Sequence, residues 1–223
     1  MNRVLSFKKY NSRILSEQKG EVLTSTENGY GAFAYLQKRL VDYSLVMILG
    51  VITAPVMLYT VYRIKKESPG PIIFKQSRKG LNGKSFTCYK FRSMHVDGHF
   101  NPYTQENDTR IFPFGLTMRK MRIDELPQML NILKGEMHMI GPRAEWDILV
   151  DEYQKDIPNY NDRHTVRPGI TGLAQVLYPY GRNVSDARKK LKYDLLYIKN
   201  WSLWLEFKVI VKTVGVILGR KGM

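Results

Sequence analysis

The sequence predicts an α+β fold that is mainly α, with one re-entrant membrane helix, a small β-hairpin and a compact domain carrying interfacial amphipathic helices. Three observations predict it: one long uncharged apolar run, two strand-like runs joined by a glycine-containing turn, and helical patterns through the second half of the chain. We expect a polar, loosely ordered N-terminal extension over 1–35, the membrane helix over 36–66 and the domain over 67–223. Residues 1–35 lack the apolar core of a signal peptide.

The apolar run from Tyr43 to Tyr62 contains twenty uncharged residues, enough to cross a bilayer as a helix. Pro55 lies near its middle, where it removes a backbone hydrogen bond and kinks a helix. Positive charge favours the cytoplasmic side of a membrane, and both flanks are basic: Lys38, Arg39, Arg63, Lys65 and Lys66. A helix that enters the membrane, breaks at Ala54–Pro55 and returns would keep both basic flanks on the cytoplasmic side. On charge alone, a transmembrane anchor with a proline kink stays equally open, whereas a buried soluble helix fits the length poorly.

Two strand-like runs follow, Ile72–Gln76 and Lys84–Phe91, and Gly80–Gly83 joins them in a predicted hairpin. Residues 95–110 are polar and are expected to form a loop.

Helical patterns dominate the remainder of the chain. Met129, Leu130 and Leu133 are expected to form one apolar helix face, and Gly135 to end that helix. Further helices are predicted over 146–157, 185–199 and 201–218, with a turn-rich loop over 167–172. The last helix combines tryptophans with charged residues, so we expect an interfacial amphipathic helix, with packing into the core as an equal alternative.

The chain has 35 Lys and Arg residues against 20 Asp and Glu residues, a net charge of +15. This favours anionic partners: nucleic acid, anionic lipid or phosphorylated substrates. No nucleic-acid partner is expected, because no helix-turn-helix, zinc-finger or RNA-binding sheet motif is present. The single cysteine, Cys88, excludes an internal disulfide, and its strand-like surroundings predict a small buried hydrophobe.

Asp124 and Glu125 are adjacent carboxylates at the predicted start of a short helix. If Asp124 is the N-cap, Pro127 falls in the first turn, where proline is tolerated. The helix N-terminus favours ionised carboxylates and bound phosphate. An ionised carboxylate can attack phosphorus, and Mg²⁺ suits such a pair when it shares a diphosphate. An N-cap aspartate followed by a first-turn glutamate is also common on ordinary helices.

Cationic side chains surround these segments. Arg143 lies in the tight turn of Gly141-Pro142-Arg143, and arginine can bind a phosphate through two donors. Additional cations that we expect near a diphosphate are Lys90, Arg92, Arg110, Arg119 and Arg167. His95, Asp97 and His99 alternate as metal ligands on a strand would, but their polar, glycine-containing surroundings favour a loop.

Four motifs occur in order: Lys90-Phe91-Arg92-Ser93-Met94, Asp124-Glu125-Leu126-Pro127-Gln128, Gly141-Pro142-Arg143 and Arg167-Pro168-Gly169-Ile170-Thr171-Gly172. Together, behind a proline-broken apolar helix, they resemble the bacterial sugar transferase family, the monotopic phosphoglycosyl transferases, over roughly residues 36–223. The resemblance implies transfer of a sugar 1-phosphate from a UDP-sugar to polyprenyl (undecaprenyl) phosphate with release of UMP. It also implies the first membrane step of polysaccharide or glycoconjugate synthesis, on the cytoplasmic face of the bacterial inner membrane.

The resemblance also implies residue roles. Asp124 would be the nucleophile that forms a covalent phosphosugar intermediate, and Glu125 its partner, acting with Mg²⁺ or as a base for the lipid phosphate. Arg143 would bind phosphate, with Lys90, Arg92 and Arg167 as further substrate-binding cations. The family's re-entrant helix corresponds to residues 40–62, which favours the re-entrant form over the transmembrane anchor.

Some positions depart from the family's common pattern. Arg122-Ile123 replaces a frequent Ser-Leu, His138 a frequent serine and Ala144 a frequent proline. Ala144-Glu145-Trp146 resembles the branch that acts on hexoses. Many relatives carry additional N-terminal helices, so this chain resembles the minimal catalytic form. The alternatives are a membrane-tethered nucleic-acid binder, a non-catalytic membrane scaffold and a glycosyltransferase that releases UDP. The sugar, the pathway, the role of Glu125 and the oligomeric state, a homodimer included, stay open.

Overall fold

The computed structural model describes residues 30–96, 108–178 and 183–219. Its helices and strands are α1 (Ala32–Glu67), β1 (Ile73–Lys79), β2 (Ser85–Phe91), α2 (Pro113–Lys120), α3 (Met129–Leu133), β3 (His138–Ile140), α4 (Asp147–Asp156), β4 (Gly169–Thr171), α5 (Leu173–Leu177), α6 (Val184–Lys199) and α7 (Leu203–Leu218). Short 3-10 helices occupy Leu81–Gly83, Ile123–Gln128 and Tyr160–Thr165. The predicted mainly helical class is confirmed.

The hairpin is also confirmed. Strands β1 and β2 pair antiparallel, with Ile73 opposite Phe91 and Lys79 opposite Ser85. Within the turn, Asn82 and Gly83 have positive φ angles of 53° and 72°. A second sheet, which the sequence did not predict, pairs β3 and β4 in parallel, and β4 lies within the expected loop over 167–172.

Helix α1 is 36 residues long, and its central part is apolar enough to cross a membrane by length and composition. One face of α1 packs against the rest of the structure. The buried residues of that face follow helical spacing within each half of the helix: Lys38, Arg39, Asp42, Val46, Thr60 and Ile64. The opposite face is exposed and apolar; Val51, Ile52 and Leu58 are 75%, 65% and 73% exposed. The helical assignment continues through Pro55. The re-entrant path through a membrane stays a prediction.

Both halves of α1 contact the same globular part of the chain. In the N-terminal half, Val46 packs into a core with Ile132, Ile140 and Val209. The C-terminal half buries Ile64 against a second cluster, formed by Phe91, Phe112, Phe114 and Met118. The two flanks of the apolar segment are therefore held by one folded unit, not by two separate ones.

A buried polar network joins α1 to α7. The Lys38 ammonium donates to the Ile140 carbonyl at 2.8 Å and to the Tyr197 hydroxyl at 3.0 Å, and forms an ion pair with Glu206. Trp201 Nε1 also donates to Glu206, at 2.8 Å. Because buried charges are costly when unpaired, this network fixes how the two helices meet.

Several element-level predictions have clear outcomes. The predicted helices over 146–157, 185–199 and 201–218 correspond to α4, α6 and α7. The predicted apolar face of α3 is only partly right. Met129 is buried as predicted, but Leu130 and Leu133 are about half exposed, and Ile132 is buried in their place. Cys88 is a buried free thiol, as predicted.

Candidate active site

The Asp124–Glu125 pair lies in the 3-10 helix Ile123–Gln128, not at the N-cap of an α-helix as the sequence suggested. The N-cap is Arg122, which adopts the left-handed conformation with φ 58°. Asp124 and Glu125 occupy the first turn, and Pro127 lies inside the helix. Both carboxylate residues are buried, 8% and 4% exposed. The tight 3-10 turn thus places two adjacent acidic groups below the protein surface.

Glu125 forms ion pairs with cationic side chains from three parts of the chain. Its Oε1 lies 2.9 Å from Lys90 Nζ on β2, 3.0 Å from Arg143 Nη2 and 3.5 Å from Arg122 Nη1. Lys90 and Arg143 are 35 and 18 residues away in sequence. Tertiary folding therefore brings together Lys90, Glu125 and Arg143, three of the predicted site residues.

The surroundings of Asp124 are different. Its Oδ1 is buried and has no hydrogen-bond partner within the described parts of the chain. The charges that act on it include Lys90, Arg119 and Arg122. A buried, unpartnered carboxylate oxygen beside fixed cations is an unsatisfied acceptor, which a bound metal ion or an electrophilic phosphorus could satisfy.

The two carboxyl groups consequently have pKa values shifted in opposite directions. Burial raises the pKa of Asp124 above its ordinary value, and the neighbouring charge of Glu125 raises it further against the opposing charge of Lys90. Burial also acts to raise the pKa of Glu125, but the charges of Lys90, Arg143 and Arg122 outweigh it and hold that pKa well below the ordinary range. Glu125 is therefore the permanently ionised member of the pair.

Asn131 fixes the strand that carries Lys90. Its Oδ1 accepts from the Tyr89 backbone N–H at 3.1 Å, and its Nδ2 donates to the Thr87 carbonyl and to Glu136, both at 2.7 Å. Asn131 is fully buried, so these bonds satisfy a polar group that would otherwise be costly there. They hold β2 against α3, which directly follows the 3-10 helix of the carboxylates.

Close backbone packing positions Arg143. A Cβ atom placed on Gly172 would lie 2.0 Å from the Gly141 carbonyl oxygen, and one on Gly169 would lie 2.1 Å from the Gly141 nitrogen. Only glycine fits such contacts. The backbone N–H of Gly169 donates to the Pro142 carbonyl at 2.8 Å. The backbones of the motifs Gly141-Pro142-Arg143 and Arg167–Gly172 therefore pack directly against each other.

Two further arginines hold the Arg143 segment from the other side. Arg163 Nη2 donates to the Arg143 carbonyl at 3.0 Å, and Arg163 is itself paired with the buried Asp194 at 2.7 Å. Arg78 donates to the Ala144 carbonyl. The backbone of the phosphate-binding candidate is thereby fixed, while its side chain reaches Glu125.

The geometry agrees with comparisons to known proteins. A profile described as bacterial sugar transferase matches residues 33–220. A UDP-N-acetylgalactosamine-undecaprenyl-phosphate N-acetylgalactosaminephosphotransferase of Aeromonas hydrophila is 45% identical over 183 residues, covering 81% of this chain and 43% of the relative. This chain belongs to the bacterial sugar transferase family.

Two more members of the bacterial sugar transferase family are UDP-glucose:undecaprenyl-phosphate glucose-1-phosphate transferases. The Xanthomonas campestris pv. campestris protein is 43% identical over 189 residues, covering 82% of this chain and 39% of the relative. The Caulobacter vibrioides protein is 41% identical over 187 residues, covering 82% of this chain and 70% of the relative. The chain thus spans less than half the length of the Aeromonas and Xanthomonas relatives.

Two predicted cations of the bacterial sugar transferase motifs make contacts elsewhere. Arg92 is buried and donates to the Ser68 and Pro71 carbonyls at 2.7 and 2.6 Å, which fixes the turn after α1. Arg167 Nε donates to the Gly135 carbonyl at 2.7 Å, and its guanidinium lies 5.1 Å from the Tyr35 ring centroid. Through these contacts Arg92 and Arg167 stabilise the fold. Their role in substrate binding stays a prediction.

The residues present fit a magnesium ion that the substrate helps to hold. Asp124 offers an unpartnered carboxylate oxygen, a donor type that Mg²⁺ prefers. Within the described residues, no three His, Cys, Asp or Glu side chains are grouped as a metal cage. The protein would therefore supply few ligands, which is usual for Mg²⁺ shared with phosphates. Of the alternating His95, Asp97 and His99, the last two lie outside the described residues, and His95 pairs with Ser68 at 3.1 Å.

Sequence reasoning did not identify Asn131, Arg163 or the left-handed Arg122 as parts of this family's site. Asn131 and Arg163 act through backbone carbonyls and amides that are distant in sequence, so no local pattern marks them. For Arg122, the departure from the common Ser-Leu was visible, but nothing in it indicated a positive φ angle.

Proposed function

We propose that the protein transfers a sugar 1-phosphate from a UDP-sugar to a polyprenyl phosphate such as undecaprenyl phosphate, releasing UMP. The observation that carries the proposal is the buried Asp124–Glu125 pair, in which Glu125 holds Lys90 and Arg143 beside an unpartnered Asp124 oxygen. The activities for which the Aeromonas, Xanthomonas and Caulobacter relatives are named support the same reaction.

In the first step, an Asp124 carboxylate oxygen attacks the phosphorus that carries the sugar. A new O–P bond forms, and the bond from that phosphorus to the bridging oxygen breaks, so UMP leaves with the bridging oxygen. In the second step, an oxygen of the lipid phosphate attacks the same phosphorus and the Asp124–phosphorus bond breaks. Asp124 is regenerated, and no net proton transfer is needed when the lipid phosphate is dianionic. Splitting the transfer lets two substrates use one site in turn.

Glu125 serves this reaction as a fixed anion. A carboxyl group with a strongly lowered pKa is a weak base, so deprotonation of the lipid phosphate is a poor use of it. Instead it holds Lys90 and Arg143 in place before substrate arrives, and pre-positioned cations stabilise charge that develops on the transferring phosphoryl group. This favours an organising role over the base role that the sequence left open.

Magnesium is the proposed cofactor, held by Asp124 and Glu125 together with the diphosphate of the donor. It would neutralise phosphate charge and stabilise the leaving UMP. The unpartnered oxygen of Asp124 supports this proposal.

We further propose a location at the cytoplasmic face of the bacterial inner membrane, with α1 entering and leaving one leaflet. The exposed apolar face of α1 supports contact with lipid, and so do exposed Trp204, Phe207 and Leu218 on α7. Contact of both α1 halves with one globular unit supports the re-entrant path, since an ordinary span would separate its flanks by the bilayer.

The nucleotide product tests the function. Purified protein in nanodiscs is incubated with Mg²⁺, undecaprenyl phosphate and each of a panel of UDP-sugars. We expect lipid-dependent release of UMP with at least one donor, which also identifies the sugar. Release of UDP would contradict the proposal and indicate a glycosyltransferase instead. Asp124→Asn protein is the matched control and should release neither nucleotide.

A further inference from the structure

An open cavity of about 500 Å³ lies between α1 and α2, and its lining includes Ile123, the residue before Asp124. We call it the α1–α2 slot; its lining residues are Val56, Tyr59, Thr60, Arg63, Pro113, Phe114, Thr117, Met121 and Ile123. Its volume falls within the range of ordinary ligand pockets, about 300–1,000 Å³. Most of its lining is aliphatic or aromatic, which suits an apolar ligand better than a sugar or a nucleotide.

The lining of the slot includes residues from the exposed face of α1 and one residue of the segment that carries the carboxylate pair. Ile123 directly precedes Asp124 in the sequence. Val56 and Tyr59, which are 40% and 52% exposed, belong to the exposed face of α1. An apolar chain bound between these residues would therefore lie next to the segment that carries the proposed nucleophile.

The slot also carries hydrogen-bond donors on one face of α1. Arg63 has its guanidinium carbon 4.6 Å from the Phe114 ring centroid, Nη1 donates to the Tyr59 hydroxyl at 2.8 Å, and Nη2 forms an ion pair with Glu67. Thr60, one turn earlier, is fully buried, and its hydroxyl has no hydrogen-bond partner among the residues that the structure describes. Residues three apart on a helix face the same way, so Thr60 and Arg63 can together meet one anionic group.

We propose that the α1–α2 slot binds the polyprenyl phosphate acceptor, with the isoprene units nearest the phosphate between α1 and α2. The phosphate would lie toward Arg63, Thr60 and the carboxylate pair. This inference rests on the proposed function, because it names the place of one of its two substrates. A mostly apolar slot that also contains an arginine matches a long hydrocarbon with one phosphate, and matches neither half of a UDP-sugar.

Steady-state kinetics distinguish an effect on the polyprenyl phosphate from an effect on the UDP-sugar. In a two-step transfer, kcat/KM for the UDP-sugar reports only the first step, and kcat/KM for the lipid only the second. Thr117→Phe places a ring in the slot from the exposed surface of α2, and Met121→Trp does so from the next turn. Leu116→Phe is the matched control, because Leu116 is an exposed neighbour on α2 that does not line the slot.

We expect Thr117→Phe and Met121→Trp to lower kcat/KM for undecaprenyl phosphate at least tenfold, with kcat/KM for the UDP-sugar within twofold of the unaltered protein. The Leu116→Phe variant should change neither constant. Wild-type lipid kinetics in both slot variants would overturn the proposal. Equal losses for both substrates would do so as well, because the slot would then not be specific to the acceptor.

A binding experiment without a UDP-sugar tests whether the slot binds the lipid independently of turnover. A benzophenone-bearing polyprenyl phosphate is photocrosslinked to the protein in nanodiscs, without any UDP-sugar, and the modified peptides are mapped by mass spectrometry. We expect crosslinks within 113–123 that Thr117→Phe reduces and Leu116→Phe does not. Crosslinks elsewhere that Thr117→Phe leaves unchanged would refute the slot, whether or not the protein shows turnover.

Discussion

At the residue scale, Asp124 and Glu125 are neighbours in sequence with opposite electrostatic surroundings. Glu125 has three cationic groups within 3.5 Å of one oxygen, whereas Asp124 has a buried oxygen without a partner. A difference of this kind assigns separate tasks to two identical functional groups. In the proposed mechanism, Asp124 attacks the phosphorus, and Glu125 holds Lys90 and Arg143 in place.

The first prediction at this scale concerns the nucleophile. Asp124→Asn keeps the size of the side chain but removes the oxyanion that would form the covalent bond. We expect turnover to fall by about 10³-fold or more, with an unchanged thermal unfolding midpoint. UMP release in nanodiscs is the measurement. Substantial residual turnover in the pure variant would reject Asp124 as the nucleophile.

The pH dependence of the first step gives a second prediction. Asp124 must be ionised to attack, and its pKa is raised by burial, so kcat/KM for the UDP-sugar should fall with decreasing pH at values above those of an ordinary aspartate. In Glu125→Gln, the neighbouring negative charge is gone, so the pKa of Asp124 falls. The acid limb of the profile should then move to lower pH, while the maximal rate drops by on the order of 10²-fold. An acid limb at unchanged or higher pH in that variant would contradict the assignment.

At the element scale, glycines bring two loops into direct contact. Gly172→Ala would place a methyl carbon against the Gly141 carbonyl oxygen, which forces β3 and β4 apart. We expect a loss of roughly 1–3 kcal/mol in unfolding free energy and a weaker affinity for the UDP-sugar, because Arg143 moves. Gly215→Ala is the control: nothing lies within 4 Å of its added carbon, so stability should not fall. Equal stability of the two variants would refute this account of the motif.

The Lys38–Glu206 pair gives a further prediction at the element scale. Lys38→Met leaves the Glu206 carboxylate buried without its ammonium partner, which typically costs about 3–5 kcal/mol. The thermal midpoint in detergent should fall markedly. Addition of Glu206→Gln should restore much of it, because the unpaired charge is removed. If the double variant is as unstable as Lys38→Met, the ion pair is not what joins α1 to α7.

The elements also show what could be predicted from the sequence and what could not. The hairpin and the longer helices have strong periodicity and turn residues, so their positions were predicted closely. Strands β3 and β4 are three residues each and their residues are largely buried, so no alternation marks them. Met129, Leu130 and Leu133 were predicted to form a core face, but tertiary contacts bury Ile132 with Met129 and leave Leu130 and Leu133 about half exposed. In the site, the charged motifs indicated Lys90, Glu125 and Arg143, whereas Arg92 and Arg167 bind backbone carbonyls that only the folded chain brings near.

At the scale of the whole molecule, the α1 path makes a prediction about topology. Single cysteines are introduced at Gly31 and Lys65, on the two flanks of α1. The native Cys88 is buried, so the introduced thiols are the ones that the reagent can reach. If α1 enters and leaves the same leaflet, a membrane-impermeant maleimide labels both positions in inverted vesicles and neither in intact cells. A transmembrane anchor would instead expose one position on each side of the membrane.

The central claim is that Asp124 carries the sugar phosphate between two substrates, and the most direct measurement is the intact mass of the protein after incubation with its UDP-sugar and no lipid. We predict a mass increase equal to one sugar phosphate, located on the peptide that contains Asp124 and lost when undecaprenyl phosphate is added. Asp124→Asn protein should show no increase. Lipid-dependent turnover without any such adduct, or an adduct on another residue, would contradict the account.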